Sequence, residues 1–251
     1  MSFGALLRAG ANHYNMTAIR AIKGTSPQIV AVLSSLSELQ QAMRMRRLPD
    51  LFEVRLDALC PHLPALEQIL PRLSAPLVIT ARHPAEGGLN NLSAFRRGEL
   101  LRRFLPAAAC VDVELRSAPQ LRTILAAAGE HKIRRIISVH DLRRTLVANR
   151  LDEWARDAES LEADVFKIVT RTETAEELAK FVDFFQRTRS RMEVSAMGAG
   201  KFGRASRIYF ATHGSALNYV HLGNPRLEGQ LSLRQMSRYM PRLPQVSERI
   251  H

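Results

Sequence analysis

A lysine held among apolar residues can act as a nucleophile, and Lys167 stands in such a run, DVFKIV. On a strand, Val165 and Val169 share its face while Phe166 and Ile168 take the other. Removing water from around the amine disfavours the ammonium and lowers its pKa, so a neutral amine becomes available to attack a ketone. The resulting imine is an electron sink for breaking a bond beside the former carbonyl. The same pattern also fits an ion-paired or snorkelling core lysine. His140 ends the run RRIISVH and is singled out from the eight histidines by that position. An imidazole near its ordinary pKa can remove a proton beside an imine and later return one to a departing hydroxyl.

Other charged residues recur at strand-like spacing. Glu53, Arg55 and Asp57 alternate with Phe52, Val54 and Leu56, which predicts one charged and one apolar strand face. Buried charges persist only when paired or occupied by ligand, so a polyhydroxylated anion is a fitting guest. Asp112 and Glu114 repeat the spacing and read as an internal salt-bridge network. In TARHPAEGG, Arg82 and Glu86 precede the flexible pair Gly87 and Gly88, an arrangement that can bring a guanidinium and a carboxylate toward a ligand. In MGAGKFGRASR, glycines precede Ser206 and Arg207, which reads either as a phosphate-cradling turn or as a carboxylate clamp by Arg207. The usual Gly-rich phosphate fingerprints do not fit the spacing, which favours the clamp.

These residues need a scaffold that gathers strand ends. Eight β-branched runs alternate with amphipathic stretches: 28 to 34, 51 to 57, 76 to 82, 110 to 116, 134 to 140, 164 to 170, 191 to 197 and 216 to 222. Helical patterns fall between them, among others over 36 to 47, 93 to 105, 151 to 161 and 174 to 187. The alternation predicts an α/β fold, a single (β/α)8 TIM barrel, whose chemistry gathers at the carboxyl ends of its strands. No Pro- or Gly-rich linker divides the series, so residues 26 to 251 read as one barrel domain. Residues 1 to 25 read as an N-terminal extension; they carry Arg8, Arg20 and Lys23 and no acid. That composition fits a transit segment or a chain that starts at Met16.

Composition narrows the partners. The net charge of +12 is spread over small groups such as Arg96 with Arg97 and Arg134 with Arg135, and aromatics are not interleaved with them. Solvated helix faces explain that distribution better than a nucleic-acid groove does. No apolar run is long enough to cross a bilayer. Cys60 and Cys110 are too few for a disulfide framework or a four-thiolate metal site, which points to a reducing, cytoplasmic setting.

Taken together, EVRLD, TARHPAEGG, VDVEL, ISVHDL, ADVFKIV, MGAGKFGRASR and EGQLSL, in order from Gln28 to Met236, resemble the type I 3-dehydroquinate dehydratase family. The resemblance implies loss of water from 3-dehydroquinate to give 3-dehydroshikimate in the shikimate route to aromatic amino acids. It implies an imine, or Schiff base, on lysine, no metal or organic cofactor, and a homodimer. By position it implies that Lys167 forms the imine, His140 is the general acid/base and Glu86 orients that histidine. Glu53, Arg55 and Arg82 would contact substrate hydroxyls, Arg207 would clamp the carboxylate, Gln230 would sit on a closing loop and Tyr219 would form an aromatic wall. Two departures stand out. The family's usual S-A-P-G-Q reads Arg226-Leu227-Glu228-Gly229-Gln230 here, and MGAGKFGRASR is two residues longer than the usual motif. Arg226 could bind the carboxylate or pair with Glu228 and alter loop closure. Rival readings are a barrel lyase or aldolase acting on another keto-acid, and a non-catalytic binder that retains the site.

Overall fold

Each of the eight β-branched runs forms a strand in the computed structural model, which describes residues 27–143 and 148–240. The expected extension over residues 1 to 25 lies outside the described residues, as do 144–147 and the chain from 241 onward. The strands are β1 (Gln28–Leu33), β2 (Leu51–Arg55), β3 (Leu77–Thr80), β4 (Cys110–Glu114), β5 (Arg134–Asp141), β6 (Val165–Arg171), β7 (Val194–Ala199) and β8 (Leu217–His221). All paired neighbours are parallel, in the order β7-β6-β5-β4-β3-β2-β1-β8. The remaining seam, between β7 and β8, is bridged by Ala216 N donating to Val194 O and by the Ser195 hydroxyl donating to Leu217 O. The result is the expected (β/α)8 barrel, nearly closed.

Strand bounds shift by up to three residues, and two of the shifts have identifiable reasons. The run expected over 51 to 57 leaves the sheet at Arg55, because Leu56–Leu59 winds into a helical turn. Asp57 therefore does not share a strand face with Glu53 and Arg55. Off the sheet, its carboxylate accepts the N–H groups of Arg82 and Leu89 as well as the Arg55 guanidinium. The run expected from Arg191 starts at Val194, since Arg191 N and Met192 N are turned back onto Thr188 O.

Helices α1 (Leu36–Met43), α2 (Leu63–Ile69), α3 (Ala94–Phe104), α4 (Arg122–Glu130), α5 (Ala148–Ser160), α6 (Ala175–Thr188), α7 (Gly203–Thr212) and α8 (Leu233–Met236) follow the strands. Their starts are chemically marked: Ser35 and Ser93 cap α1 and α3, and Thr174 with Glu177 forms a capping box on α6. On α6 the helical period places Phe181, Phe184 and Phe185 on the buried stripe, where Phe184 meets Phe166 edge-on and Phe181 and Phe185 pack on Phe210. Each such ring contributes about 2 to 3 kcal/mol by burial.

Strand alternation divides the core in two. Phe52, Val54, Phe166 and Ile168 face the helices, while Val30, Leu51, Val78, Cys110, Ile136, Val165 and Leu217 fill the barrel interior. Two residues further along their strands the inward row turns polar, with Glu53, Thr80, Asp112, Ser138 and Lys167, all buried. An apolar floor therefore supports a charged layer just below the carboxyl ends of the strands.

Candidate active site

Lys167 points into the barrel beside Val165 and Val169, and only 3% of it is exposed. The amine is not in an apolar pocket alone. Its Nζ lies 2.8 Å from Asp112 Oδ2 and 3.2 Å from Glu53 Oε1, and it sits 3.7 Å from the centre of the Tyr219 ring. The desolvated and the ion-paired readings of this lysine thus hold together: it is stripped of bulk water, and two carboxylates hold its ammonium. Burial alone would raise the Asp112 carboxyl, but the charges of Arg82 and Lys167 and the Arg82 hydrogen bond hold it well below the usual carboxylate range.

His140 is on the next strand, in register with Val169, while Ser138 is opposite Lys167. The loop after β3 brings Glu86 to it. That loop folds tightly, with Glu86 N and Gly88 N both donating to His83 O. A Cβ on Gly88 would lie 2.2 Å from Arg82 O, and Gly87 has a φ of +85°, so both glycines are required by the turn. Glu86 Oε2 accepts His140 N at 2.9 Å and lies 3.0 Å from His140 Nδ1, which fixes the ring and leaves Nε2 free for chemistry. Arg116 Nε approaches the other oxygen, Oε1, at 3.5 Å.

The two partners are displaced in opposite directions. Burial raises the Glu86 carboxyl to about 7, helped by Glu114 and opposed by Arg82, the His140 N–H and Arg116. Burial, reinforced by the charges of Arg82 and Lys167 and opposed by Asp112, holds the His140 imidazole well below its ordinary 6.5. The near-ordinary pKa expected of His140 is therefore not what its surroundings give; the ring is neutral, and competent as a base, at neutral pH.

Opposed shifts give a stability test. Glu86 binds its proton more tightly folded than unfolded, so its contribution falls as pH rises from about 4.5 to about 7. His140 binds its proton less tightly folded, so its contribution rises as pH climbs toward 6.5. In the parent the two slopes oppose. Glu86→Gln removes the first, so its melting temperature is expected to climb relative to the parent by about 4 °C between pH 4.5 and 6.5. Parallel melting curves for the two proteins would contradict these environments.

All nine candidate residues line one cavity of about 260 Å³ at the strand ends. Arg82 is bound inward: Asp112 takes both Nη groups, at 3.1 and 2.8 Å, and Glu114 and Ser138 take Nη1. Glu53 accepts the Thr80 hydroxyl and lies 3.7 Å from Arg82 Nη2. Arg55 is held by Asp57 through Nε and Nη2, and Nη2 also reaches Gly87 O, tying β2 to the loop that carries Glu86. Arg207 differs from both. It is 3% exposed, its Nε donates to Gly198 O and its Nη1 to Tyr219 O, and no carboxylate pairs with it among the described residues. Burial without an acid lowers its guanidinium to about 10, an environment that favours an anion in the cavity. Gln230 accepts Arg226 N at 2.9 Å through its carbonyl oxygen, leaving its amide nitrogen for a ligand.

The phosphate-cradle reading of MGAGKFGRASR does not survive the geometry, because Ser206 Oγ accepts Gly198 N and donates to Gly203 O instead of facing the cavity. Ser195 likewise serves the β7–β8 seam. Sequence reasoning undervalued Asp112, which touches the lysine itself, and passed over Ser138, which donates to Asp112 at 2.6 Å. Ser138 precedes His140 by two on the same inward row, and that spacing was the available signal.

Known proteins share both sequence and fold with this chain. A family model described as type I 3-dehydroquinase matches residues 29–243. A 3-dehydroquinate dehydratase from Pyrococcus abyssi is 31% identical over 188 residues, covering 74% of this chain and 84% of that protein. One from Methanococcoides burtonii is 27% identical, over 85% and 93% respectively. Crystal structures of 3-dehydroquinate dehydratase from Geobacillus kaustophilus and of the type I enzyme from Clostridium difficile superpose with TM-scores of 0.75. Their identities are 22% and 19%; each match covers 86% of this chain and 91% of the other, and shows the fold. With a model match across most of its length and a relative above 30% identity, the chain belongs to the type I 3-dehydroquinase family.

Proposed function

We propose that this protein dehydrates 3-dehydroquinate to 3-dehydroshikimate through an imine on Lys167, as a step of aromatic amino acid biosynthesis. The observation that carries the reading is one small cavity lined by a buried lysine, an imidazole on the adjacent strand, and a buried guanidinium that has no acid partner among the described residues. Lys167 gives up its ammonium proton to water, and the amine, oriented by Glu53 and Asp112, then adds to the ketone carbon. The carbonyl oxygen leaves as water, giving an iminium. His140 Nε2 removes a proton from the neighbouring carbon, and that electron pair moves into the iminium. The hydroxyl on the next carbon departs with the proton His140 has gained, leaving a carbon–carbon double bond. Water then hydrolyses the iminium and frees Lys167, so the net change is loss of one water.

Glu86 holds the imidazole by Nδ1, Arg55 and Gln230 face the substrate's hydroxyl groups, and Arg207 takes its carboxylate, with Tyr219 walling the lysine. Arg82 and Glu53 act from the same wall while paired with their neighbours. Free Cys60 and Cys110 accord with a cytoplasmic setting, and assembly as a homodimer belongs to the same reading. No described helix is long and apolar enough to cross a membrane.

Purified protein incubated with 3-dehydroquinate is expected to generate the ultraviolet absorbance of the conjugated enone. Folded protein that produces none would sink this reading and favour a lyase for another keto-acid.

A further inference from the structure

Resting on that reading, we infer that Arg226 is a specificity-determining residue, a second guanidinium that meets the substrate carboxylate from across the cavity mouth beside Arg207. Both residues line the same cavity, and Arg226 is the one exposed to solvent. Its backbone position is fixed. Arg226 N donates to Gln230 Oε1, and Gln230 N donates to Leu227 O, closing a tight turn. The turn is packed onto α7, the helix that carries Arg207. Gly229 has a φ of +83° and a Cβ there would lie 2.6 Å from Arg204 N, while a Cβ on Gly203 would lie 2.9 Å from Glu228 O. Only glycine at these two positions permits so close an approach of loop to helix.

Neither of these two cavity-lining guanidiniums has an acid for a partner among the described residues. Among the described residues no carboxylate pairs with Arg226, and Glu228, two residues away, does not. The carboxylates that line the cavity, Glu53 and Glu86, are engaged by Lys167 and Arg82 and by His140 and Arg116. Two cations without acid partners thus border one cavity, among the described residues. A guanidinium on a pinned loop can form a charge-assisted bond to a carboxylate without the chain having to order first. Its solvent-exposed position makes that contact sensitive to salt.

The test compares the parent with Arg226→Ser and Arg226→Lys. In steady-state turnover of 3-dehydroquinate, Arg226→Ser is expected to raise KM about tenfold with kcat changed less than about twofold, and Arg226→Lys to recover part of the loss. Raising the ionic strength should increase KM more in the parent than in Arg226→Ser. Calorimetric titration of 3-dehydroshikimate reads the same contact without turnover, and its Kd should rise about tenfold in Arg226→Ser. Equal KM and Kd in parent and Arg226→Ser, with the parent active, would overturn the inference and leave the proposed reaction standing. A fall in kcat at constant KM would also overturn it, by making the arginine part of loop motion. A parent with neither turnover nor binding would remove the reading on which the inference rests, and the inference with it.

Discussion

Lys167→Met is expected to lower kcat for dehydration about 10⁵-fold or more, because in the proposed reaction the side chain supplies the covalent intermediate and no other amine lines the cavity among the described residues. The substitution also leaves Glu53 and Asp112 without their shared cation. Breaking a buried pair in this way costs about 3 to 5 kcal/mol, equivalent to a drop of roughly 10 °C in melting temperature. Lost activity by itself would therefore not separate chemistry from folding. Lys167→Arg resolves this, since it keeps a cation between the two carboxylates but cannot form an imine. Both variants are expected to be inactive, with Lys167→Arg melting closer to the parent; an active Lys167→Arg would show that the lysine acts only as a charge.

His140→Ala is expected to lower kcat about 10² to 10⁴-fold, the usual weight of one general acid/base, with a smaller effect on KM. The lysine would still add to substrate, so the imine should accumulate in this variant and be trapped by reductant. The pH profile separates this role from a structural one. In the parent, kcat/KM is expected to fall on the acid side, below the ordinary imidazole range, where His140 takes up a proton and the base is lost. His140→Ala should lose that limb. A profile that keeps its shape after the substitution would mean that the titrating group lies elsewhere.

The barrel was legible in the sequence because each strand is a short β-branched run and each crossover an amphipathic stretch, so fold and order followed from two periodicities. Lys167 and His140 were legible for narrower reasons: Lys167 is a charged residue inside an apolar run, and His140 ends its run, where a parallel barrel exposes its chemistry. The salt-bridge network read at Asp112 and Glu114 is present, and what escaped the sequence was which residues pair. The alternation around Glu53 suggests that Asp57 stays on the strand, whereas the chain turns there and Asp57 gathers Arg55, Arg82 and Leu89. The apolar neighbours of Lys167 leave a desolvated and an ion-paired lysine both open, and they do not reveal that its partners, Glu53 and Asp112, come from strands 114 and 55 residues away. Arg82 and Arg207 look alike as sequence, and only the folded chain distinguishes the guanidinium saturated by acids from the one that has none. Such differences are set by long-range register, which local pattern does not carry.

The central claim is a covalent bond between Lys167 and the substrate, and borohydride tests it most directly. Protein incubated with 3-dehydroquinate and borohydride, then digested and mapped by peptide mass spectrometry, is expected to carry a reduced adduct on the peptide containing Lys167 and to lose activity in proportion. Enone formation without any adduct, or an adduct on a different lysine, would contradict the account.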